Sequence, residues 1–281
     1  MKPGEGAVTS RGYAVDLIML VGQSLARLLR TPSHSRRSIA ARRGARHMLL
    51  VSAVLAAVIV ILMVAVDAFE IGLMPPRGTP SLWPLKIVND FGKSTYVLWA
   101  LLALMVAVAV LLPRLAGASR AVMIGIGTRV QYVFLAVLVP VLAGEVLKGA
   151  IGRGRPFVGG AANPFNFSAF SWSEAYASLP SGHAITAFAL AAAVSALFPR
   201  LRLLMFLYAI TIGVCRLVLL AHHPSDVVAG ALLGIIGALA VRYWFAARRL
   251  AFTIRPDGTI EPLPGPSWER VKRVARDAFA P

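Results

Sequence analysis

The sequence predicts an all-α integral membrane protein with six transmembrane helices, and three observations carry that reading. Of its 281 residues, 58% are hydrophobic and only 15% are charged, a balance poorer in charge than a soluble domain of this length. The apolar residues are gathered into blocks at 48–66, 95–112, 130–147, 183–198, 201–220 and 227–241, most of them close to the ~20 residues a helix needs to cross a bilayer. These blocks lack the charged faces at helical spacing that a soluble helical core would show.

Taken in order, each element has its own reason. Residues 1–47 are basic and include "AVDLIMLVGQSLARLLR". Its apolar core is too short to span and no small-residue cleavage site follows, so an interfacial amphipathic helix is expected rather than a cleaved signal. Block 48–66 is then an uncleaved first span. Asn89, Asp90 and Lys93 stand just before the second span on the outer side, where they would border a site at the outer helix ends; the "DFG" there has no glycine-rich or catalytic loop beside it and is no kinase motif. The third span ends at Glu145 and Lys148 and can start as early as Ala121. Ser181 is the expected cap of the fourth, with Gly182 and His183 in its first turn. Arg216 lies about one turn from the end of the fifth. Pro224-Ser225-Asp226 opens the sixth with Ser225 as the expected cap, and Gly230, Gly234 and Gly237 suit close helix packing. The tail "SWERVKRVARDAF" puts Trp268, Val271, Val274, Ala275 and Ala278 on one face of a second interfacial helix. The expected organisation is a cytoplasmic basic segment 1–47, a six-helix membrane domain 48–247 and a cytoplasmic tail 248–281.

The net charge of +17 is unevenly placed. Segments 1–47, 113–129, 199–202 and 242–281, which fall on one side of six spans, carry 22 of the 29 Lys and Arg. Basic residues near span ends mark the cytoplasmic side, so both termini are expected inside. The charge is mainly topological and also suits anionic headgroups. Nucleic-acid binding is not expected, because no basic segment is interleaved with stacking aromatics. Cys215 is the single cysteine, which excludes an intrachain disulfide and a Cys/His metal set built around it.

With this topology the polar residues converge. Glu145, Lys148, Arg153 and Arg155, then Ser181, Gly182 and His183, then Arg216, His222, His223 and Asp226 all fall at the outer helix ends. A helix start offers free N–H groups to an anion, and an arginine deep in a span normally faces the protein interior and a partner. Taken singly, the pieces have bland readings: snorkelling cations, a turn and cap, a structural His–Asp hydrogen bond. Their common depth argues against these.

Three spaced signatures resemble the type 2 phosphatidic acid phosphatase superfamily of membrane lipid phosphatases, which includes undecaprenyl pyrophosphate phosphatases. They are Lys148, six residues, Arg155-Pro156; Pro180-Ser181-Gly182-His183; and Arg216, five residues, His222, three residues, Asp226. The third departs from the family pattern in having Cys215 where serine is usual, a weaker hydrogen-bond donor. The resemblance implies a catalytic set of His222, His183 and Asp226. It also implies a phosphate clamp of Lys148, Arg155 and Arg216 with Ser181 and the Gly182 N–H. His222 would be the nucleophile that forms a phosphohistidine, and Asp226 would accept from its other ring nitrogen. His183 would protonate the leaving oxygen and then activate water, leaving His223 a bystander. Three fixed cations can stand in for metals, so no metal and no cofactor is expected. The implied partners are a lipid phosphate substrate and the bilayer.

The implied substrates are undecaprenyl pyrophosphate, phosphatidylglycerophosphate, phosphatidic acid or a lipid A 1-phosphate. The implied location is a bacterial inner membrane with the active site at the periplasmic ends of the third to sixth helices. Phe157, Phe165, Phe167, Phe170, Trp172 and Tyr176 serve equally well as a lipid mouth or an aromatic belt. The alternatives are a lipid phosphotransferase using the same phosphohistidine, and a transporter, which would need polar residues at mid-membrane.

Overall fold

A computed structural model describes residues 12–160, 163–255 and 257–279; residues 1–11 of the expected N-terminal segment, two positions of the loop before Ser181 and the last two of the tail lie outside that set. Ten helices and one hairpin follow in order among the described residues: α1 Tyr13–Leu29, α2 His34–Ala65, α3 Asp67–Leu73, α4 Trp83–Asp90, α5 Ser94–Leu111, α6 Gly117–Ile151, α7 Gly182–Leu197, α8 Arg202–Val218, α9 Pro224–Ala247, β1 Phe252–Ile254, β2 Ile260–Pro262 and α10 Trp268–Phe279.

Among the described residues, five segments are long and apolar enough to cross a membrane, at Ala41–Ala65, Pro80–Arg114, Gly117–Ile151, Pro199–Val218 and Pro224–Ala247. The fourth expected span is the shorter helix α7, of 16 residues, a length of about 24 Å at 1.5 Å per residue. Its position explains this. It packs on α6, α8 and α9, and residues from Ala184 to Leu197 are buried along most of its length. A helix walled by protein need not match the ~30 Å of lipid hydrocarbon. Its alanines allow close neighbours, and α9 answers with glycine: a Cβ at Gly234 would stand 2.5 Å from the Ile185 carbonyl oxygen, so backbone meets backbone there. By contrast the apolar residues of α2 face outward, with Leu49 69% and Val64 72% exposed, as lipid-facing residues should be.

Several element boundaries differ from expectation. α2 starts at His34, so the basic residues before the first apolar block are the opening turns of the same helix. The stretch between the first two expected spans, residues 67–93, folds into α3 and α4. The tail is not wholly helical. β1 and β2 pair antiparallel with Thr253 opposite Glu261, and Phe252 is fully buried with its ring 4.7 Å from that of Tyr132. The expected apolar face of α10 turns partly inward: Val274 and Ala278 pack on Leu115 and Met123, while Trp268 stays exposed.

Candidate active site

The three signatures lie on four helix ends and one loop, and the loop is fixed first. Arg153 is fully buried and organises it. Its guanidinium donates to Asp67 Oδ2 at 2.8 Å, Asp226 Oδ1 at 2.6 Å, Ser225 Oγ at 2.6 Å and the Pro164 carbonyl at 2.7 Å. Asp67 also accepts from the Ser225 N–H at 3.0 Å and the Ser225 hydroxyl at 2.5 Å. α3, the 152–181 loop and the start of α9 are thus joined through one buried, fully paired cation. Sequence reasoning placed Arg153 among the outer cations and missed Asp67. Its signal was a carboxylate directly after an apolar run, where a charge needs a partner.

One open cavity of about 320 Å³ is lined by Lys148, Arg155, Gly182, His183, Arg216 and His222, and also by Lys93, Glu145 and Glu174. Six of the eight expected site residues therefore share one wall. Lys148 Nζ lies 2.6 Å from Glu145 Oε1, and Arg155 lies 3.5 Å from the exposed Glu174 carboxylate. Arg216 is 8% exposed and donates from Nη1 to Asn89 Oδ1 at 2.9 Å. Gly182 holds bare backbone against the clamp, since a Cβ there would come within 2.9 Å of Lys148 Nζ. The sequence reading set Asn89, Asp90 and Lys93 beside the site. Asn89 and Lys93 reach it; Asp90 pairs with Lys93 at 2.9 Å.

Two expected contacts differ. Ser181 does not cap α7 through its side chain: its hydroxyl is buried without a partner, and its N–H donates to the Asp226 carbonyl at 3.0 Å. It stands behind the cavity wall. Ser225 does not cap α9, because its hydroxyl belongs to the Asp67–Arg153 network; His223 is the N-cap, in a reciprocal capping box with Asp226.

The His222–Asp226 contact also departs from expectation. His222 Nδ1 is 2.8 Å from the Ser178 carbonyl oxygen but 3.8 Å from Asp226 Oδ2, beyond hydrogen-bond length. A carbonyl only accepts, so Nδ1 carries the proton and Nε2 keeps its lone pair. Asp226 is held by Ser178 Oγ at 2.6 Å and by the His223 N–H at 2.9 Å. It faces His222 as a nearby charge rather than as the group fixing its tautomer. Burial pulls His222 down to about 4, against a smaller opposing pull from Asp226, so the imidazole is neutral at physiological pH. His223 is fully buried and does not line the cavity. Cys215 is also buried.

This arrangement can hold a tetrahedral dianion against three cations and a bare N–H, with a neutral imidazole lone pair and a second imidazole beside it. Comparison with known proteins agrees with the residues. Residues 129–250 match the model of the PAP2 superfamily. A "Lipid A 1-phosphatase" of Rhizobium johnstonii is 39% identical over 147 residues, 52% of this chain and 57% of that protein. One of Rhizobium etli is 37% identical over 150 residues, 53% of this chain and 61% of its own. The match thus spans about three-fifths of the length of these curated relatives. No solved structure matches. The matched segment contains all three signatures, so over this part the chain is similar to the type 2 phosphatidic acid phosphatase superfamily.

Proposed function

We propose that this protein is a metal-independent lipid phosphate phosphatase of the bacterial inner membrane. In this reading it acts at the periplasmic face with both termini in the cytoplasm. The carrying observation is that two imidazoles and three cations, from three separate signatures, line one cavity. Lys148, Arg155, Arg216 and the Gly182 N–H neutralise the phosphoryl oxygens. His222 Nε2 attacks phosphorus, and the P–O bond to the lipid breaks as His183 gives the leaving oxygen a proton. Asp226 steadies the charge on the resulting phosphohistidine. His183, now neutral, takes a proton from water, whose oxygen attacks phosphorus and releases inorganic phosphate and free His222. The names of the Rhizobium relatives support ranking a lipid A 1-phosphate first among the proposed substrates, ahead of phosphatidic acid, phosphatidylglycerophosphate and undecaprenyl pyrophosphate. The six expected spans are kept, with α7 as the protein-walled member.

Purified protein in detergent, given this panel of lipids, should release phosphate fastest from the lipid A 1-phosphate, and should do so in excess EDTA. Turnover that needs added magnesium would mean that the cations do not suffice as a clamp. Transfer to a second lipid in place of phosphate release would assign a phosphotransferase.

A further inference from the structure

Asn89 stands one residue before the end of α4 and is 6% exposed. Its Oδ1 accepts from Arg216 Nη1 at 2.9 Å, and its Nδ2 lies 3.3 Å from His183 Nε2. The guanidinium has donors and no acceptor, so the amide oxygen must face Arg216. The amide nitrogen therefore faces His183, and Nε2 must offer it a lone pair. With the amide turned this way the imidazole is neutral, with its proton on Nδ1. The corner is held firmly. The Phe91 carbonyl accepts from Tyr208 at 2.8 Å, and a Cβ at Gly92 would stand 2.5 Å from Ile212 Cγ2 and 3.3 Å from His183 Cδ2. Cδ2 and Nε2 are neighbours in the ring, so that edge meets the corner and Nδ1 turns the opposite way.

An acid at His183 must be an imidazolium, whose Nε2–H then needs an acceptor. Asn89 can supply one by turning its amide over, provided that Arg216 Nη1 has found another oxygen. A bound phosphoryl group is that oxygen. We propose that Asn89 is a positioning residue that links phosphate capture by Arg216 to protonation of His183. In the liganded site its Oδ1 holds Nε2–H, and Nδ1 serves as acid and then as base. This rests on the phosphatase reading above. The charged and titratable groups sharing the cavity with His183 are Lys93 from the corner before α5, Lys148 and Glu145 from α6, Arg155 and Glu174 from the loop, Arg216 from α8 and His222 from the α8–α9 turn. The excess of cations opposes a charged imidazole until an anion arrives.

Sulfate is a suitable probe, because it stays a dianion across pH 5.5–8.5 and its binding requires no turnover. Calorimetry of sulfate on the purified full chain, repeated in buffers of different ionisation enthalpy, should show proton uptake, and affinity should fall by up to about tenfold per pH unit as pH rises. In Asn89→Asp the carboxylate accepts from both neighbours, so His183 is charged beforehand; binding should weaken but vary less than about twofold per unit. His183→Gln should abolish the uptake. An unchanged slope in Asn89→Asp, uptake persisting in His183→Gln, or no uptake in the parent would overturn the linkage, the last of these without any variant. A parent that binds no sulfate at any pH would instead overturn the phosphate-clamp reading itself.

Discussion

His222 and His183 share a cavity but meet different chemical demands in the proposed reaction, where His222 is the nucleophile and His183 the acid. A nucleophile is required whatever leaves, so His222→Ala should abolish turnover of every substrate. An acid matters in proportion to the basicity of the leaving oxygen. His183→Ala should slow phosphatidic acid, which expels an alkoxide, by about 100- to 10,000-fold. The first step on a nitrophenyl ester or a pyrophosphate should change far less, and burst kinetics isolate that step. His223→Ala should stay within about tenfold of the parent, roughly 1.4 kcal/mol, yet melt earlier because it removes a buried cap. Loss of the burst in His223→Ala with a normal burst in His222→Ala would reverse the assignment. The nucleophile's acid limb also belongs well below 6.5: with His222 drawn down to about 4 by burial, it stays an unprotonated nucleophile until pH approaches that value. A burst that is already tenfold down at pH 5.5 in His183→Ala would contradict this. At this scale the sequence was readable where a role needs a side chain at fixed spacing. It was mute about the Ser178 carbonyl that sets the His222 tautomer, because every residue carries a carbonyl and only the fold selects one.

The helices are placed by what joins their ends, and Arg153 is the main joint. It pairs with Asp67 after α2 and with Asp226 at the start of α9, so removing it leaves two buried carboxylates uncompensated. Arg153→Met should cost about 3–5 kcal/mol, the usual penalty for breaking one side of a buried pair. It should lower the melting temperature in detergent and disorder the 152–181 loop that carries Arg155. A melting temperature within error of the parent would show that the network is dispensable. Arg155→Met, on the cavity wall, should instead weaken sulfate binding with little change in melting. The two arginines look alike in sequence, two residues apart. They differ through Asp67 and Asp226, which are 86 and 73 positions from Arg153, and a single sequence gives no means of pairing residues so far apart. Spans and caps were more accessible because periodicity is local. Even so, neither expected serine caps through its hydroxyl: that of Ser225 goes to the Asp67–Arg153 network and that of Ser181 is buried without a partner.

The charge asymmetry predicts how the whole molecule sits in the membrane. The cavity opens where α6 ends and α7 begins, at the end poor in Lys and Arg, and the basic ends of α2 and α10 lie at the opposite side of the expected topology. Apolar blocks made most of this architecture legible. The β1–β2 hairpin was not: "FTIRPDGTIEP" carries strand formers around an Asp-Gly turn, but two three-residue strands are too short to show an alternating pattern. The orientation can be tested with the parent's own cysteine left in place, because Cys215 is 1% exposed and should react slowly. Ala169 lies on the exposed loop before α7, and Ala118 is exposed at the first turn of α6. In intact spheroplasts, an impermeant thiol reagent should label Ala169→Cys and spare Ala118→Cys until the membrane is opened. Neither side chain touches the cavity, so both variants should keep their activity, and labelling then reports on folded protein. If Ala118→Cys labels in intact cells and Ala169→Cys does not, the site faces the cytoplasm. Its substrate would then have to be a lipid phosphate of the inner leaflet, and a periplasmic lipid A 1-phosphate would no longer qualify.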